Sequence, residues 1–403
     1  MSTHSIEIAD RPSRRPGRGA VIMTAVAVLV FLAGCGERGD VGIFASIERE
    51  EKIEKSNLPE VSTAGSVVYH AGTDRYYVAL GQLYARDRGD NDWDDVNHPG
   101  GYGDGHTLDI VTMGGDIYVA FFDTESTKSE IFRLNPTNDN YTSVWSPGDE
   151  IAKLIAIDTD GADEASEDLN EELFAVTVES NKLDYNLVYA PGNTGDTQNT
   201  VLSDVPRIFD GAYDFVVAGG QYLFVAGGTL FAGTDVTQGS ADIAEVAGSD
   251  RPFATFGGTT FVEDAFGNAA NDWLYVTSTR GDIAYTADAG TWTWTTETGD
   301  DDRGYTDITY LDSADFPGLS GSNGALVVGV DTRETSPGGY YEVSESLGTS
   351  RPDSENYDAA DVSDAAINGF YVDAANQTLF ALTSGTGLWR GNYDTAEADW
   401  SWE

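Results

Sequence analysis

One cysteine, Cys35, occurs among 403 residues. No intrachain disulfide can form, and a zinc site built on several thiolates is excluded. Lysine is almost as scarce, with Lys52, Lys55, Lys128, Lys153 and Lys182 making up the whole set. Against 22 basic residues stand 68 acidic ones, a formal net charge of −46. That balance argues against nucleic acid or an anionic surface as a partner. Beyond residue 34 the histidines are His70, His98 and His106. Their spacing fits no metal-binding helix, so they read as structural or surface residues. No Gly-x-Ser-x-Gly elbow and no phosphate loop is present, which leaves nucleophilic hydrolase and nucleotide chemistry without sequence support. From residue 66 onward no Pro-rich or Ser-rich linker marks a second domain.

What the chain has instead is repetition. Tyr222-Leu-Phe-Val-Ala-Gly-Gly-Thr-Leu-Phe-Ala-Gly233 reads as a strand, a Gly-Gly turn and a returning strand. The run Leu223–Ala226 is continuously apolar, as suits a strand buried on both faces. Six other copies centre on Tyr76–Ala79, Ile117–Ala120, Leu173–Val176, Leu274–Thr277, Leu326–Gly329 and Leu379–Leu382, each followed by a second β run. Taking the second residue of each as a marker gives spacings of 41, 56, 50, 51, 52 and 53. An upstream β run, such as Leu108–Val111 or Thr306–Tyr310, precedes most copies. A tryptophan follows several: Trp93, Trp145, Trp292, Trp294, Trp400 and Trp402. Four strands in a unit of about 40–50 residues is the signature of a β-propeller. The expectation is an all-β propeller over 66–403 with about seven four-stranded blades. Six or eight blades, a β-sandwich pair or a β-solenoid remain alternatives.

The first 34 residues read as a processing segment. Arg11, Arg14, Arg15 and Arg18 precede an apolar stretch from Ala20 to Ala33 that is too short for a spanning helix. It ends in Leu32-Ala33-Gly34-Cys35, which resembles the lipobox of bacterial lipoproteins. The resemblance implies cleavage before Cys35, lipidation of Cys35, and a membrane anchor facing the periplasm or the exterior. Whether export is general or twin-arginine stays open. Residues 35–65 read as a tether with a short helix: Ser46 is a cap, Glu48 pairs with Lys52 and Glu51 with Lys55, and Asn57 and Pro59 stop it. A spacer lying on the propeller is the simpler role for it; a partner-docking helix is the other.

Without the signal segment the chain keeps 18 basic and 66 acidic residues, a net of −48. Self-repulsion on that scale is relieved at high salt, so the composition points to a saline exterior. The densest acidic stretch suggests a metal site. Asp158, Asp160, Asp163 and Glu164, around Gly161, could supply the oxygens that calcium needs. It partly resembles the Asp-rich calcium loops of some propellers, but departs from the EF-hand pattern at Ala162 and Leu169. An acidic surface insertion is the competing reading.

Thr286-Ala-Asp288-Ala-Gly290-Thr-Trp292-Thr-Trp294 resembles the Asp-box of sialidase-type propellers, with the Trp displaced by one place. Asp-boxes are structural, so this resemblance supports a fold and not an activity. A sialidase would also need clustered arginines with a Tyr and acids. Arg207, Arg251, Arg280, Arg303 and Arg333 lie in no matching motif. Arg-Gly-Asp begins at Arg38, Arg88 and Arg280, and is read as turn composition rather than as an adhesion signal. The functional expectation is a lipid-anchored propeller that serves as a binding or assembly scaffold for an envelope protein. The alternative is a glycan-binding or glycan-cleaving surface protein, which would require Arg, Asp and Tyr from different blades to converge at a channel mouth.

Overall fold

The computed structural model describes Leu58 and residues 65–402, apart from 91, 101, 103–104, 159–170, 180–181, 190–198, 207–213, 219, 227–228, 235, 237–241, 263–264, 268–271, 288–291, 298–303, 318, 320–322, 332–338, 344–365, 385–386 and 397–398. The signal segment, Cys35 and the tether helix lie outside the described residues.

The chain forms seven antiparallel sheets, each a meander of consecutive strands. Blade 1 holds β1 (Val67–His70), β2 (Arg75–Leu80), β3 (Gln82–Asp87) and β4 (Asp94–Asp95); blade 2 holds β5 (His106–Met113), β6 (Asp116–Asp123), β7 (Lys128–Asn135) and β8 (Asn140–Trp145). Blade 3 holds β9 (Glu150–Asp158), β10 (Glu171–Glu179), β11 (Lys182–Tyr189) and β12 (Asn199–Pro206); blade 4 holds β13 (Asp214–Ala218), β14 (Gln221–Ala226), β15 (Thr229–Gly233) and β16 (Ala244–Glu245). Blade 5 holds β17 (Phe256–Val262), β18 (Trp273–Ser278), β19 (Ile283–Thr286) and β20 (Thr295–Glu297). Blade 6 shows three strands among the described residues, β21 (Tyr305–Leu311), β22 (Ala325–Val330) and β23 (Gly339–Val343). Blade 7 holds β24 (Ile367–Asp373), β25 (Thr378–Thr383), β26 (Leu388–Asp394) and β27 (Asp399–Trp402).

This is the seven-bladed, four-stranded propeller that the repeat predicts. All seven marker runs fall in the second strand of their blades. In blade 4, Ala226 at the end of β14 pairs with Thr229 at the start of β15.

The apolar runs are continuous because each second strand serves two cores. Phe224 and Ala226 pack with Phe174 and Tyr185 of blade 3, whereas Leu223 and Val225 pack with Leu274 and Val276 of blade 5. Side chains alternate across a strand, so a strand sandwiched between two neighbours needs an apolar residue at every position. The same division recurs at every junction and yields seven apolar clusters, one between each pair of adjacent blades. The seventh joins Tyr76, Val78 and Leu80 of blade 1 to Phe380 and Leu382 of blade 7, with Leu58 buried against them. Side-chain packing thus closes the ring, and among the described residues no strand is exchanged across the joint.

One innermost strand escaped the sequence reading. β17 carries Gly257 and Gly258, which mask its β pattern. A Cβ on Gly257 would lie 2.0 Å from Tyr305 O, and one on Gly258 would lie 2.7 Å from the Cα of Asp307. The innermost strands of blades 5 and 6 approach so closely that no side chain fits between them.

Candidate functional site

Successive turns of a meander lie at opposite ends of a sheet. Second-to-third turns and blade-to-blade connections therefore share one rim, where the innermost strands begin; we call it the inlet rim. The other rim, where those strands end, is the outlet rim. The candidate surfaces are these two rims and the wall between them.

The wall is held by carboxylates at irregularities near the start of the innermost strands. In β5 the register shifts between Thr107 and Asp109, and in β21 between Tyr305 and Asp307. The Asp109 carboxylate accepts from Ser66 Oγ of the segment leading into blade 1. It also accepts from Leu154 N of blade 3 at 2.6 Å, so one side chain ties three blades. Asp307 Oδ2 accepts from Phe370 N of blade 7 at 2.8 Å, while the neighbouring Thr306 hydroxyl donates to Ile367 O. In both blades an Asp at the bulge reaches the backbone of the next innermost strand.

Burial pushes the Asp109 carboxyl above the usual carboxylate range, against the opposing pull of Lys153, Ser66 and the backbone of Leu154. The folded value then exceeds the unfolded one of about 3.9. Stability from this group is therefore full below the unfolded value and is lost as pH rises through the folded value. Replacing Asp109 with Asn removes that slope. Thermal melts between about pH 3 and 8 should show the wild-type advantage over Asp109→Asn shrinking as pH rises above about 4. An advantage that grows with pH would contradict this assignment.

Arg, Tyr and Asp do converge from different blades, but inside the joint between blades 7 and 1. Arg86 is 3% exposed. Its guanidinium lies 4.9 Å from the ring centroid of Trp93, 5.5 Å from Tyr76 and 5.8 Å from Phe380. The Tyr76 hydroxyl donates to the buried Asp373, whose carboxylate also accepts from Asn376 Nδ2 at 2.5 Å. Burial, followed by the bond to Asp373, raises the Tyr76 phenol well above its ordinary value. On the outlet side, Tyr69 N donates to the Tyr371 hydroxyl at 3.1 Å, and the Tyr69 hydroxyl donates to Asp74 at 2.5 Å. The Tyr76 and Tyr69 hydroxyls and the Asp373 carboxylate each engage another protein group.

The residues singled out in the sequence are scattered. His70 is buried, with Nδ1 2.9 Å from Thr73 Oγ1 and Nε2 3.0 Å from Gly115 O. His98 lies edge-on to Phe121 and bonds through Nδ1 to Tyr102 O at 2.9 Å, and His106 opens β5 exposed to solvent. Asp158 ends β9; its side chain, together with Asp160, Asp163 and Glu164, lies outside the described residues. Among the described residues no group of three or more His, Cys, Asp or Glu side chains is placed to hold a metal ion.

Of the arginines, Arg251 pairs with Glu245 at 3.3 Å, Arg280 is exposed, and Arg207, Arg303 and Arg333 lie outside the described residues. In the Asp-box-like stretch, Asp288 and Gly290 also lie outside. Trp292 and Trp294 stack with centroids 5.9 Å apart at an interplanar angle of 13°, and Trp294 Nε1 donates to Asp250 O at 2.8 Å. Sequence reasoning missed Arg86, Asp109 and Asp307. Each is a single charged residue within or beside a β run, and what it does depends on the neighbouring blade. No described helix is long and apolar enough to cross a membrane.

No protein-family model matches the sequence, and no curated protein does. The likeness to solved structures is one of shape. The structure described as YCF48 bound to D1 peptide aligns with a TM-score of 0.55 at 11% identity, covering 84% of this chain and 94% of that one. Sqt1 of Saccharomyces cerevisiae aligns at 0.53 with 9% identity, covering 86% of each chain. Identities this low establish the fold alone.

Proposed function

We propose that this chain is a lipid-anchored, extracytoplasmic propeller that acts as a binding or assembly scaffold for an envelope protein. The observation that carries this reading is where Arg, Tyr and Asp side chains from different blades meet. Among the described residues, Arg86, Tyr76 and Asp373, the residue types that a glycan-cleaving centre requires, converge inside the blade 7–blade 1 joint. Exposed loops on two rims of a rigid ring are left as the working surface, and propellers use such loops for recognition. A chain of similar fold is described as bound to a peptide, YCF48 with D1 peptide. The lipobox-like Leu32–Cys35 supplies the anchor, and the acidic composition suits a saline exterior.

A glycan-binding role is the second reading. The stacked, half-buried Trp292 and Trp294 are what favours it, since paired indoles offer a flat apolar face to a sugar ring.

One experiment addresses anchor and partner together. Wild type and Cys35→Ser are expressed in the native host, fractionated and crosslinked at native salt. Wild type should sediment with membranes and capture one saturable envelope protein. Cys35→Ser should fall in the membrane fraction by about tenfold or more, as expected when the acyl chains that hold a protein on a bilayer are lost. A folded wild-type protein that captures no protein partner would count against the scaffold, and a carbohydrate panel would follow.

A further inference from the structure

The tripeptide Arg-Gly-Asp occurs twice among the described residues, and the two copies are built in opposite ways. In blade 1 the guanidinium is tied down. Arg88 Nε lies 3.2 Å from Asp74 Oδ1, and its guanidinium lies 5.6 Å from the Tyr69 ring centroid. In blade 5 the carboxylate is tied down. Asp282 Oδ2 accepts from Ser278 Oγ at 3.1 Å, and Ser278 Oγ in turn accepts from the backbone N of Arg280 at 3.1 Å and of Asp282 at 3.0 Å. Ser278 N donates to Asp282 O at 2.9 Å and Gly281 N donates to Ser278 O at 3.1 Å, with Gly281 at φ 86°. Thr279 Oγ1 lies 2.7 Å from Thr255 Oγ1, which pins the turn to the connection that enters β17. An adhesion reading would need the Asp282 carboxylate to point outward, and it is bonded inward. What the turn presents is Arg280.

Arg280 is exposed and makes no ion pair among the described residues. Lys128 is the other exposed cation that makes no ion pair among the described residues. Arg75, Arg88, Arg133, Lys182 and Arg251 all pair with a carboxylate. Resting on the scaffold reading above, we infer that the Ser278–Asp282 turn is a recognition element on the inlet rim, with Arg280 receiving a carboxylate of the partner protein. Two features fit this role. A guanidinium binds a carboxylate through two parallel hydrogen bonds, which neither an ammonium nor a solvent cation reproduces. The braced turn has little freedom left to lose on binding, so less of the contact energy is offset by ordering.

The chain's own charge gives the contact an unusual salt signature. At low salt the net negative field repels an anionic partner. At about 1 M the Debye length is about 3 Å, so the field is screened while the contact pair persists. Binding should therefore strengthen as salt rises, opposite to the usual behaviour of ion-pair interfaces.

The test uses the full chain on native membranes with a carbodiimide, which joins an amine to a carboxylate only when they touch. Arg280→Lys places an amine at the tip of the turn. Mass spectrometry should find it joined to an Asp, a Glu or the C-terminal carboxyl of the saturable partner, in yields higher at about 1 M salt than at 0.1 M. With an amine-reactive crosslinker, Arg280→Ala should lower partner capture by about tenfold, the effect of losing a charge-assisted pair. Lys128→Ala, which removes the other exposed cation without an ion pair among the described residues, should leave capture unchanged. Equal capture by wild type and Arg280→Ala would overturn the inference and leave the scaffold reading standing. Absence of any saturable partner for wild type would remove the scaffold reading itself. Arg280-dependent sedimentation with phosphatidylglycerol vesicles, without a protein crosslink, would replace the partner carboxylate by a lipid phosphate and overturn the assignment.

Discussion

Gly257→Val should lower stability by about 4 kcal/mol or more. At about 2 °C per kcal/mol for a domain of this size, the melting temperature should fall by about 8 °C. The cause is steric and has no cheap remedy. The added Cβ would meet Tyr305 O at 2.0 Å, Tyr305 C at 2.8 Å and Thr277 Oγ1 at 2.9 Å, and two of those three atoms are backbone of the adjacent innermost strand. A flexible side chain could step aside. β21 cannot, because Tyr305 is paired with Val330 and its ring is packed in the blade 5–blade 6 core. Gly100→Ala is the matched control: a Cβ there meets nothing within 4 Å, and its effect should stay within about 0.5 kcal/mol. Denaturant melts of the two variants decide the matter. Similar midpoints would mean that blades 5 and 6 can separate without loss.

Arg86→Ala should cost about 3–5 kcal/mol, and its damage should be local. The guanidinium fills the space between three aromatic rings drawn from blades 1 and 7. Truncation removes a desolvated cation–π contact of about 2 kcal/mol and also opens a cavity where the stem was packed. Leu58, Val67 and Leu382 share that cluster and would lose support together. Hydrogen exchange provides the spatial readout. Amides of β1, β2, β24 and β25 should exchange faster in Arg86→Ala, while those of β10 and β14, on the far side of the ring, should keep their protection. Uniform acceleration around the ring would show that Arg86 supports overall stability rather than the joint.

The fold was legible because a propeller repeats one local instruction. Leu-Tyr-Val-Thr at 274–277 and Leu-Val-Val-Gly at 326–329 declare a strand buried on both faces without reference to any neighbour. β17 was not legible, because Gly257 and Gly258 are chosen by the proximity of Tyr305 and Asp307, residues nearly fifty positions downstream. The wall carboxylates were hidden for the same reason. Asp109 looks like one more acid among 68 until Leu154 N and Ser66 Oγ are seen beside it. Arginine was weighed as a ligand for substrate, yet Arg86 serves the joint and Arg251 serves Glu245. The Arg-Gly-Asp copies were read as turn composition, and the blade 5 copy is indeed a turn. Its directionality, with the acid in and the base out, is set by Ser278, which lies just ahead of the tripeptide.

The way the ring is fastened bears on how this chain could be rearranged. Many closed rings are latched by mixing early and late segments in one sheet, so the ends cannot be moved without undoing the latch. Here, among the described residues, chain order and blade order coincide, and the seventh joint is built of the same kind of side-chain cluster as the other six. Each of the seven joints then rests on side-chain packing, so a joint other than the present one can serve as the place where the ring is opened. Circular permutants opened between blades 2 and 3 or between blades 4 and 5 should form the same ring. The blade 7–blade 1 joint, then crossed by a continuous chain, would become an ordinary interior interface.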